Sequence, residues 1–272
     1  TTWFTYVRCH DDIGWAIDDA DAASAGVSGG GHRAFLAGYY RGDFPGSPAR
    51  GVPFATNEQT GDERTNGMTA ALVGVTAARE DADDAATERA LARAALLYAI
   101  AFGHGGIPII YMGDELAQGN DVEALDDPAR STDSRWVHRP AFDDVSRALL
   151  ADTGTVPGRM WAVMQQLVGA RRDCRPLHGG GPTRYLDIGV EQVFCWHRHH
   201  PRFGDLVGLA NVGGTSAMVD RVALDAAGLD VAEFVDVLQP EATDWIDLEP
   251  YQVRWLIDPE SYRTVPAPPT EI

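Results

Sequence analysis

The sequence predicts an α/β fold that is followed by a domain of antiparallel strands, and three features support this prediction. Two short apolar runs, residues 3–7 and 107–112, have the length and the β-branched and aromatic content of buried strands. The Ala- and Leu-rich residues 85–102 predict a long helix that leads into the second run. Beyond Pro176 the pattern changes to short apolar stretches separated by Gly-rich turns, which is typical of an antiparallel sandwich.

The first apolar run ends in polar residues that could carry chemistry. His10, Asp11 and Asp12 follow it, and Gly14 marks a turn. In a barrel of parallel strands the carboxyl ends of the strands carry the active site, so titratable side chains at this point indicate a site. The alternative is that Asp11 and Asp12 only cap the segment that follows, as aspartate often does. The local sequence leaves both interpretations open.

The stretch between this run and the next clear helix is too long for an ordinary connection. A βα loop usually has about 2–6 residues, and longer loops tend to be functional. Within it, the Gly-rich residues 27–31 predict a flexible joint, and residues 32–41 predict a short helix with its apolar side chains on one face. Residues 68–74 are a further helix-like segment.

The remaining elements follow in order. A long loop after residue 112 leads to a last helix at residues 161–171, whose apolar side chains recur at helical spacing. Short strands are predicted beyond it, at residues 193–196, 206–210 and 253–257. The Pro-rich tail after Asp258 predicts an extended end.

Composition and charge argue against several classes of partner. The chain has 22 Lys and Arg against 40 Asp and Glu, which gives a net charge of −18. Nucleic acids and anionic membrane surfaces are themselves negative, so this charge argues against both, whereas a neutral sugar is unaffected by it. No apolar run approaches the roughly 18–20 residues of a membrane span.

The cysteines and histidines show no metal-binding spacing. Cys9, Cys174 and Cys195 are an odd number without a disulfide pattern, which favours a reducing, cytoplasmic compartment. We expect Cys9 to be a small core residue of the first strand. The histidines that we interpret as ordinary core or surface residues are His104, His138, His178, His199 and His200. Because no phosphate-binding glycine loop or dinucleotide fingerprint is present, we expect no cofactor and no metal.

Several motifs resemble one family. Residues 7–15 (VRCHDDIGW) resemble the fourth conserved block of glycoside hydrolase family 13, the α-amylase superfamily, in the wording found in amylosucrases and sucrose hydrolases. The resemblance continues through further blocks, which are GVPF at 51–54, TGDER at 60–64, IPIIYMGDE at 107–115 and DSRWVHRP at 133–140. A His-Asp pair alone is a weak signal, whereas the longer HDDIGW is far more specific. The resemblance is weakest toward the C-terminal end.

This resemblance implies a fold and an order of domains. The fold would be the last part of a (β/α)8 TIM barrel with an inserted subdomain, followed by a C-terminal antiparallel β-sandwich domain. Residues 1–12 would form a barrel strand and residues 13–78 the subdomain inserted over the active site. Residues 79–177 would form the final barrel helices and strand, and residues 178–272 the sandwich.

The resemblance also implies roles for residues of the first block and for one arginine. Asp11 would be the transition-state stabiliser, the third carboxylate of the catalytic set, and His10 would bind a hydroxyl of the glucosyl ring. Asp12 and Arg64 would line the neighbouring subsite, which holds the fructosyl unit or the acceptor. The alternative for Asp12 and Arg64 is an ordinary surface ion pair, worth about 0–1 kcal/mol.

Three further residues are assigned from the other blocks and from the inserted stretch. Arg135 matches an arginine that pairs, in amylosucrases, with an upstream aspartate to close the glucose pocket. Without that carboxylate we expect Arg135 to be disordered or paired elsewhere, because a buried unpaired arginine is strongly unfavourable. Arg33 matches a position that guides oligosaccharide acceptors, and the alternative is a solvated surface arginine. Glu115 is interpreted as a structural carboxylate at the barrel rim rather than as the catalytic acid.

The order of the motifs bears on what the chain does by itself. In this family the nucleophilic Asp and the acid/base Glu precede the first block, so we expect the C-terminal part of a longer enzyme, inactive alone. That enzyme would transfer glucose from sucrose to an α-glucan with retention and release fructose. The alternatives are a sucrose hydrolase and a non-catalytic remnant or sugar-binding half. We expect the open edge of the first strand to be covered by the missing N-terminal part of the barrel or by a second copy.

Overall fold

The computed structural model describes residues 2–179, 181–239 and 245–261. The α-helices are α1 (Asp19–Ser24), α2 (Gly29–Arg41), α3 (Thr69–Val73), α4 (Val75–Glu80), α5 (Asp84–Gly103), α6 (Asp144–Arg147), α7 (Val156–Asp173) and α8 (Arg221–Ala226). The strands are β1 (Phe4–Tyr6), β2 (Val52–Phe54), β3 (Arg64–Asn66), β4 (Ile107–Ile109), β5 (Thr183–Leu186), β6 (Val193–His200), β7 (Gly204–Asn211), β8 (Ala217–Asp220), β9 (Val235–Asp236), β10 (Trp245–Leu248) and β11 (Val253–Ile257). None of the helices described has the length and apolar character needed to cross a membrane.

The chain divides into two compact units. Unit 1 is built from residues 1–6, 95–109 and 162–272, and unit 2 from residues 7–94 and 110–161. The predicted domain boundary near residue 178 falls inside unit 1 and stays a prediction. The prediction of an extended tail after Asp258 lies, beyond residue 261, outside the described residues.

Unit 1 contains the pair of parallel strands that the sequence predicts. β1 and β4 pair in parallel, with Phe4 opposite Ile107 and Tyr6 opposite Ile109. The end of α5 precedes β4 in the chain, so a strand, a helix and a parallel strand follow one another as in a barrel. Both strands are confirmed in place, although each is shorter than its apolar run.

The prediction that these strands are buried is wrong. The side chains of Phe4 and Tyr6 are 63% and 51% exposed, and those of Ile107 and Ile109 are 47% and 41% exposed. The physical reason is that β1 and β4 form a sheet of only two strands in the described residues, whereas parallel strands normally belong to a larger sheet that is covered on both faces. The apolar composition therefore shows that these side chains are suited to burial, although they are exposed in this structure.

The other described strands of unit 1 pair in an antiparallel manner. One sheet has the strand order β5-β6-β7-β11-β9, and a second sheet pairs β8 with β10. Side chains from both sheets enter one hydrophobic core, which includes Val207 and Leu209 of the first sheet and Val219 and Leu248 of the second. The predicted antiparallel strands are confirmed, and their assignment as a β-sandwich domain from residue 178 onward stays a prediction.

A tight contact inside the larger sheet fixes one glycine. Trp196 is fully buried on β6 and its indole N–H donates to the Gly103 carbonyl at 2.9 Å. Gly208 lies opposite Trp196 in the register, and a Cβ at this position would lie 2.0 Å from the indole ring. The buried tryptophan therefore requires glycine on the neighbouring strand.

Unit 2 contains residues 13–78, in which the three glycines Gly29 to Gly31 form the start of helix α2. Ser28 is the N-cap of α2 and accepts a hydrogen bond from Gly31 N at 3.2 Å, so the predicted flexible joint is wrong for Gly29 to Gly31, whereas Val27 and Ser28 lie outside the helix. Gly29 is needed because α1 approaches closely: a Cβ on Gly29 would lie 2.0 Å from an Asp19 carboxylate oxygen. The helix ends at Gly42, which has φ +90°.

A small hairpin carries the second half of this stretch. β2 and β3 pair antiparallel, with Val52 opposite Asn66. The strand segment after His10 joins them, because Ile13 and Thr65 exchange backbone hydrogen bonds of 2.9 and 3.0 Å. These hydrogen bonds fix the segment around Ile13 to the hairpin that holds Arg64.

The cysteines differ from expectation at one position. Cys9 is partly exposed, so its prediction as a core residue of the first strand is wrong, because β1 ends at Tyr6. Cys174 and Cys195 are buried free thiols, and burial raises the pKa of each to about 12.

Candidate active site

Asp11 presents an ionised carboxylate at the surface of unit 2. Its side chain is 54% exposed. Oδ1 accepts a hydrogen bond from the Asp12 backbone N–H at 3.0 Å and one from Arg135 Nη1 at 3.2 Å. These donors, the backbone N–H first, lower the pKa of Asp11 to about 2, so the group is negatively charged at neutral pH.

Arg135 is ordered and paired, and it connects two aspartates. Besides Asp11 it binds Asp133 in a bidentate manner, with Nε and Nη2 each 2.9 Å from a carboxylate oxygen. Its guanidinium carbon lies 4.8 Å from the ring centroid of Phe54, a cation–π distance. The arginine is therefore fixed by its own loop while one N–H group faces Asp11.

Two other arginines hold the main chain of the same segment. Arg8 is 4% exposed, and its Nη2 donates to the Asp11 carbonyl at 2.8 Å while its Nε donates to the Gly67 carbonyl at 2.8 Å. Arg139 Nε donates to the His10 carbonyl at 2.9 Å. The His10 side chain itself is exposed.

His138 is a buried neighbour of this segment. Its side chain is fully buried, and neither ring nitrogen has a hydrogen-bond partner in the described part of the chain. Burial first, and then the positive charge of Arg8, lower the pKa of His138 to about 4, so the ring is neutral at pH 7. Tyr111 OH donates to the His138 carbonyl at 2.8 Å.

Asp12 and Arg64 form the ion pair that the sequence left open. Arg64 Nη1 lies 3.0 Å from Asp12 Oδ2, and the Asp12 side chain is 5% exposed whereas that of Arg64 is 56% exposed. A pair with one nearly buried carboxylate differs from two solvated surface charges, because the carboxylate depends on its partner.

Arg33 is not a freely solvated arginine. Its side chain is 21% exposed and bridges two carboxylates, Asp19 at 2.8 Å and Asp62 at 2.9 Å. It also donates to the Ile17 carbonyl at 2.8 Å. These contacts raise the pKa of Arg33, the Asp62 hydrogen bond contributing most. The guanidinium thus fastens α2 to the segments on either side of it.

A groove lies between these elements of unit 2. Its cavity volume is about 590 Å³, and it is lined by Gly14, Trp15, Ala16, Ile17, Arg33, Ala55, Asn57, Asp62, Glu63 and Arg64. The Trp15 indole is held in place, since its N–H donates to Thr65 Oγ1 at 3.0 Å and its ring stacks on Tyr40 at 5.1 Å. An apolar groove with a few convergent polar groups is the usual form of a small-molecule site.

Glu115 and two histidines of unit 1 make contacts that hold local structure. Glu115 accepts a hydrogen bond from Gly113 N at 2.8 Å, a contact within its own loop. In unit 1, His197 and His199 share one oxygen of Asp205 at 2.7 and 2.8 Å. Across the described residues, no group of three or more His, Cys, Asp or Glu has a geometry that could hold a metal ion.

The structure brings most of the sequence-predicted residues together. Asp11, next to His10, contacts Arg135, and the adjacent Asp12 contacts Arg64, which lines the groove together with Arg33. The sequence analysis did not single out four residues that contact this cluster, which are Arg8, Phe54, Asp133 and Arg139. All four lie inside motif blocks. The sequence could most easily have indicated Asp133, a carboxylate two residues before Arg135, as the partner of that arginine.

Comparison with known proteins identifies a shared fold. No family model matches the chain. The structure of AmyP in complex with maltose is similar with a TM-score of 0.52 at 16% identity, over 70% of this chain and 38% of that chain.

Two other structures are similar at lower scores. A mutant of the trehalulose synthase MutB in complex with sucrose has a TM-score of 0.44 at 18% identity, over 61% of this chain and 38% of that chain. The trehalose-6-phosphate hydrolase TreA of Bacillus licheniformis has a TM-score of 0.43 at 16% identity with the same coverage, 61% and 38%. The match therefore extends over little more than a third of the length of each of these proteins, and the likeness to AmyP shows that this chain has the fold of the corresponding part of AmyP.

Proposed function

We propose that this chain is part of a retaining, sucrose-active α-glucosyltransferase of glycoside hydrolase family 13, of the amylosucrase type. The observation that carries the proposal is the exposed Asp11 carboxylate in the HDDIGW block, which the Asp12 backbone N–H at 3.0 Å and Arg135 Nη1 at 3.2 Å hold in a fixed orientation. Retaining glycoside chemistry passes through an oxocarbenium-like transition state, and a fixed negative charge stabilises that state more than the neutral ground state. The motif resemblance and the fold shared with AmyP support the same family.

In this proposal His10 and Arg135 complete the glucosyl pocket around Asp11. His10 is exposed beside Asp11 and donates to a hydroxyl of the glucosyl ring. Arg135, fixed by Asp133, holds the Asp11 carboxylate in its orientation through a contact of 3.2 Å. The nucleophile and the acid/base are supplied from outside the motifs of this chain, as the resemblance to glycoside hydrolase family 13 implies.

The groove is the proposed acceptor subsite. Its volume, about 590 Å³, suits a small oligosaccharide. Arg64 and Arg33 line it and Trp15 provides a fixed aromatic wall, so a sugar chain would meet donors and an apolar surface together. Arg64 lines the groove and pairs with Asp12, which follows Asp11 in the sequence, so this pair suits the fructosyl or acceptor position.

The exposed side chains of β1 and β4 support a missing partner. We propose that the remainder of a barrel, or a second copy, covers Phe4, Tyr6, Ile107 and Ile109, since parallel strands are stable when covered on both faces. Sucrose and an α-glucan acceptor are the proposed substrates. Taken alone, the chain is proposed to be inactive.

The test is a product assay on the full-length protein that carries this sequence. It is incubated with sucrose and a maltooligosaccharide, and fructose, glucose and lengthened glucan are separated by chromatography. We expect fructose in excess of free glucose, with the difference recovered in glucan. Equal fructose and glucose without glucan would identify a sucrose hydrolase instead, and no release of fructose would refute the proposal. The purified chain alone is expected to release none, so fructose from it would contradict its assignment as an incomplete enzyme.

A further inference from the structure

Arg8 uses the fork of its guanidinium to bridge two backbone segments. Nε donates to the Gly67 carbonyl and Nη2 to the Asp11 carbonyl, each at 2.8 Å. Gly67 lies just before α3, so Arg8 links the segment that carries Asp11 to the start of that helix. A planar guanidinium holds both carbonyls in a fixed relative position, which a flexible ammonium group does not.

The burial of Arg8 makes this contact notable. The residue is 4% exposed, and burial lowers its pKa, whereas the nearby charges of Asp114 and Asp12 oppose that effect. Its hydrogen bonds in the described residues go to carbonyl oxygens rather than to a carboxylate. Burying a charge is costly, and this charge is arranged to hold main chain.

The Asp11–Asp12 peptide transmits this contact to the Asp11 side chain. The Asp11 carbonyl and the Asp12 N–H belong to the same planar peptide group. Arg8 holds the carbonyl end of that group at 2.8 Å, and the N–H end donates to Asp11 Oδ1 at 3.0 Å. Rotation of the peptide would break both hydrogen bonds. Arg139 holds the preceding carbonyl, that of His10, at 2.9 Å, so the two successive peptides are fixed.

We infer that Arg8 is a positioning residue for Asp11: by holding the Asp11–Asp12 peptide, it directs the N–H of that peptide at the Asp11 carboxylate and fixes the orientation of that carboxylate. The inference rests on the proposed function, because it assigns Arg8 a role in presenting the transition-state stabiliser. Arg8 itself does not touch the proposed substrate position. Its effect is carried through the backbone.

The test is a pH titration in which carbon NMR records the Asp11 carboxyl signal. It is carried out on the 272-residue chain with Arg8→Lys and on the wild type. Lysine keeps the positive charge and loses the fork, so it separates the two effects of arginine. The backbone N–H is the largest cause of the low Asp11 pKa. We therefore expect the Asp11 pKa to rise by about 1 in the variant, and the Asp12 amide shift to follow that titration less closely than in the wild type.

The matched control is Arg93→Lys. Arg93 also donates to a main-chain carbonyl of unit 2, that of Val73 at 2.9 Å, in a place remote in sequence from Asp11. Loss of the Arg93 hydrogen bond should lower the melting temperature about as much as Arg8→Lys does, and it should leave the Asp11 pKa unchanged. If Arg8→Lys does not fold, Arg8→Gln, which removes the buried charge, is titrated instead.

The titration separates this inference from the proposed function. An Asp11 pKa that stays at the wild-type value in a folded Arg8 variant would overturn the positioning role, whatever the turnover of the full-length protein. A rise in the Arg93 control as large as that in Arg8→Lys would overturn it as well, because the effect would then be general loosening of unit 2. Neither readout requires sucrose turnover.

Discussion

The buried histidine under the site segment leads to a prediction about acid stability. His138 is fully buried with a pKa lowered to about 4, mainly because burial disfavours the imidazolium and also because Arg8 is close. In the unfolded chain a histidine titrates near 6.5. Between these two pH values the unfolded state binds the proton more strongly, so stability falls as the pH falls through this window and is fully retained above about 6.5.

The size of the effect follows from the two pKa values. A difference of about 2.5 corresponds to about 3 kcal/mol when fully expressed at low pH, at about 1.4 kcal/mol per unit. At pH 5 about 2 kcal/mol of it is lost relative to pH 7.5. Asp236, whose pKa burial raises to about 6, titrates in the same window with the opposite effect on stability, so the contribution of His138 is isolated by the difference between the wild type and a variant without this histidine.

The assay is urea unfolding at these two pH values for the wild type, for His138→Gln and for Leu72→Ala. Glutamine cannot titrate, so we expect its stability to change by about 2 kcal/mol less than that of the wild type. Leu72 is 5% exposed in the same unit, and its truncation should cost about 2–5 kcal/mol at both pH values while retaining the wild-type pH dependence. The same pH dependence in His138→Gln and in the wild type would refute the reasoning.

The other predictions concern unit 1 and the thiols. Gly208→Ala should destabilise the protein by about 1–3 kcal/mol or more, because the new methyl group would lie 2.0 Å from the Trp196 ring; thermal unfolding checks this, and an unchanged melting temperature would contradict the packing. Cys9 should react with a thiol reagent in the folded protein, whereas Cys174 and Cys195, whose pKa values are raised to about 12, should react only after unfolding. Mass spectrometry of the labelled protein locates the modified residue, and rapid labelling of either buried thiol would contradict their burial.

Periodicity predicted much of the fold. The apolar runs on β6, β7 and β11 and the long helix α5 are where hydrophobic spacing indicated them. Residues 29–31 were mispredicted because three successive glycines usually indicate a loop. The helix forms there since Ser28 caps it and Gly29 allows close approach to Asp19.

The exposure of β1 and β4 could not be predicted from composition. An apolar strand signals that its side chains are suited to burial, and whether a neighbour covers it depends on residues elsewhere. Phe4 and Ile107 have the composition of buried barrel strands and are exposed in this chain.

The sequence indicated the charged side chains of the candidate site, and it did not indicate the residues that hold them in place. The motif indicated Asp11 and Arg135, whereas Arg8 was not singled out because a single arginine directly after an apolar run gives no sign of its acceptors. Those acceptors are carbonyls, present at every residue, so only the folded backbone identifies Gly67 and Asp11 as its partners. Pairing of Arg135 with Asp133 likewise depends on the turn between them.

The most direct test of the central claim is the rate of fructose release by Asp11→Asn in the full-length protein, compared with Asp127→Asn. Asn keeps the shape of the side chain and removes the charge that is proposed to stabilise the transition state. Asp127 is likewise paired with an arginine, Arg130 at 2.6 Å, and does not line the groove. We predict that Asp11→Asn lowers the rate by roughly 10²–10³-fold or more while Asp127→Asn stays near the wild type. Equal rates in the two variants would contradict the account.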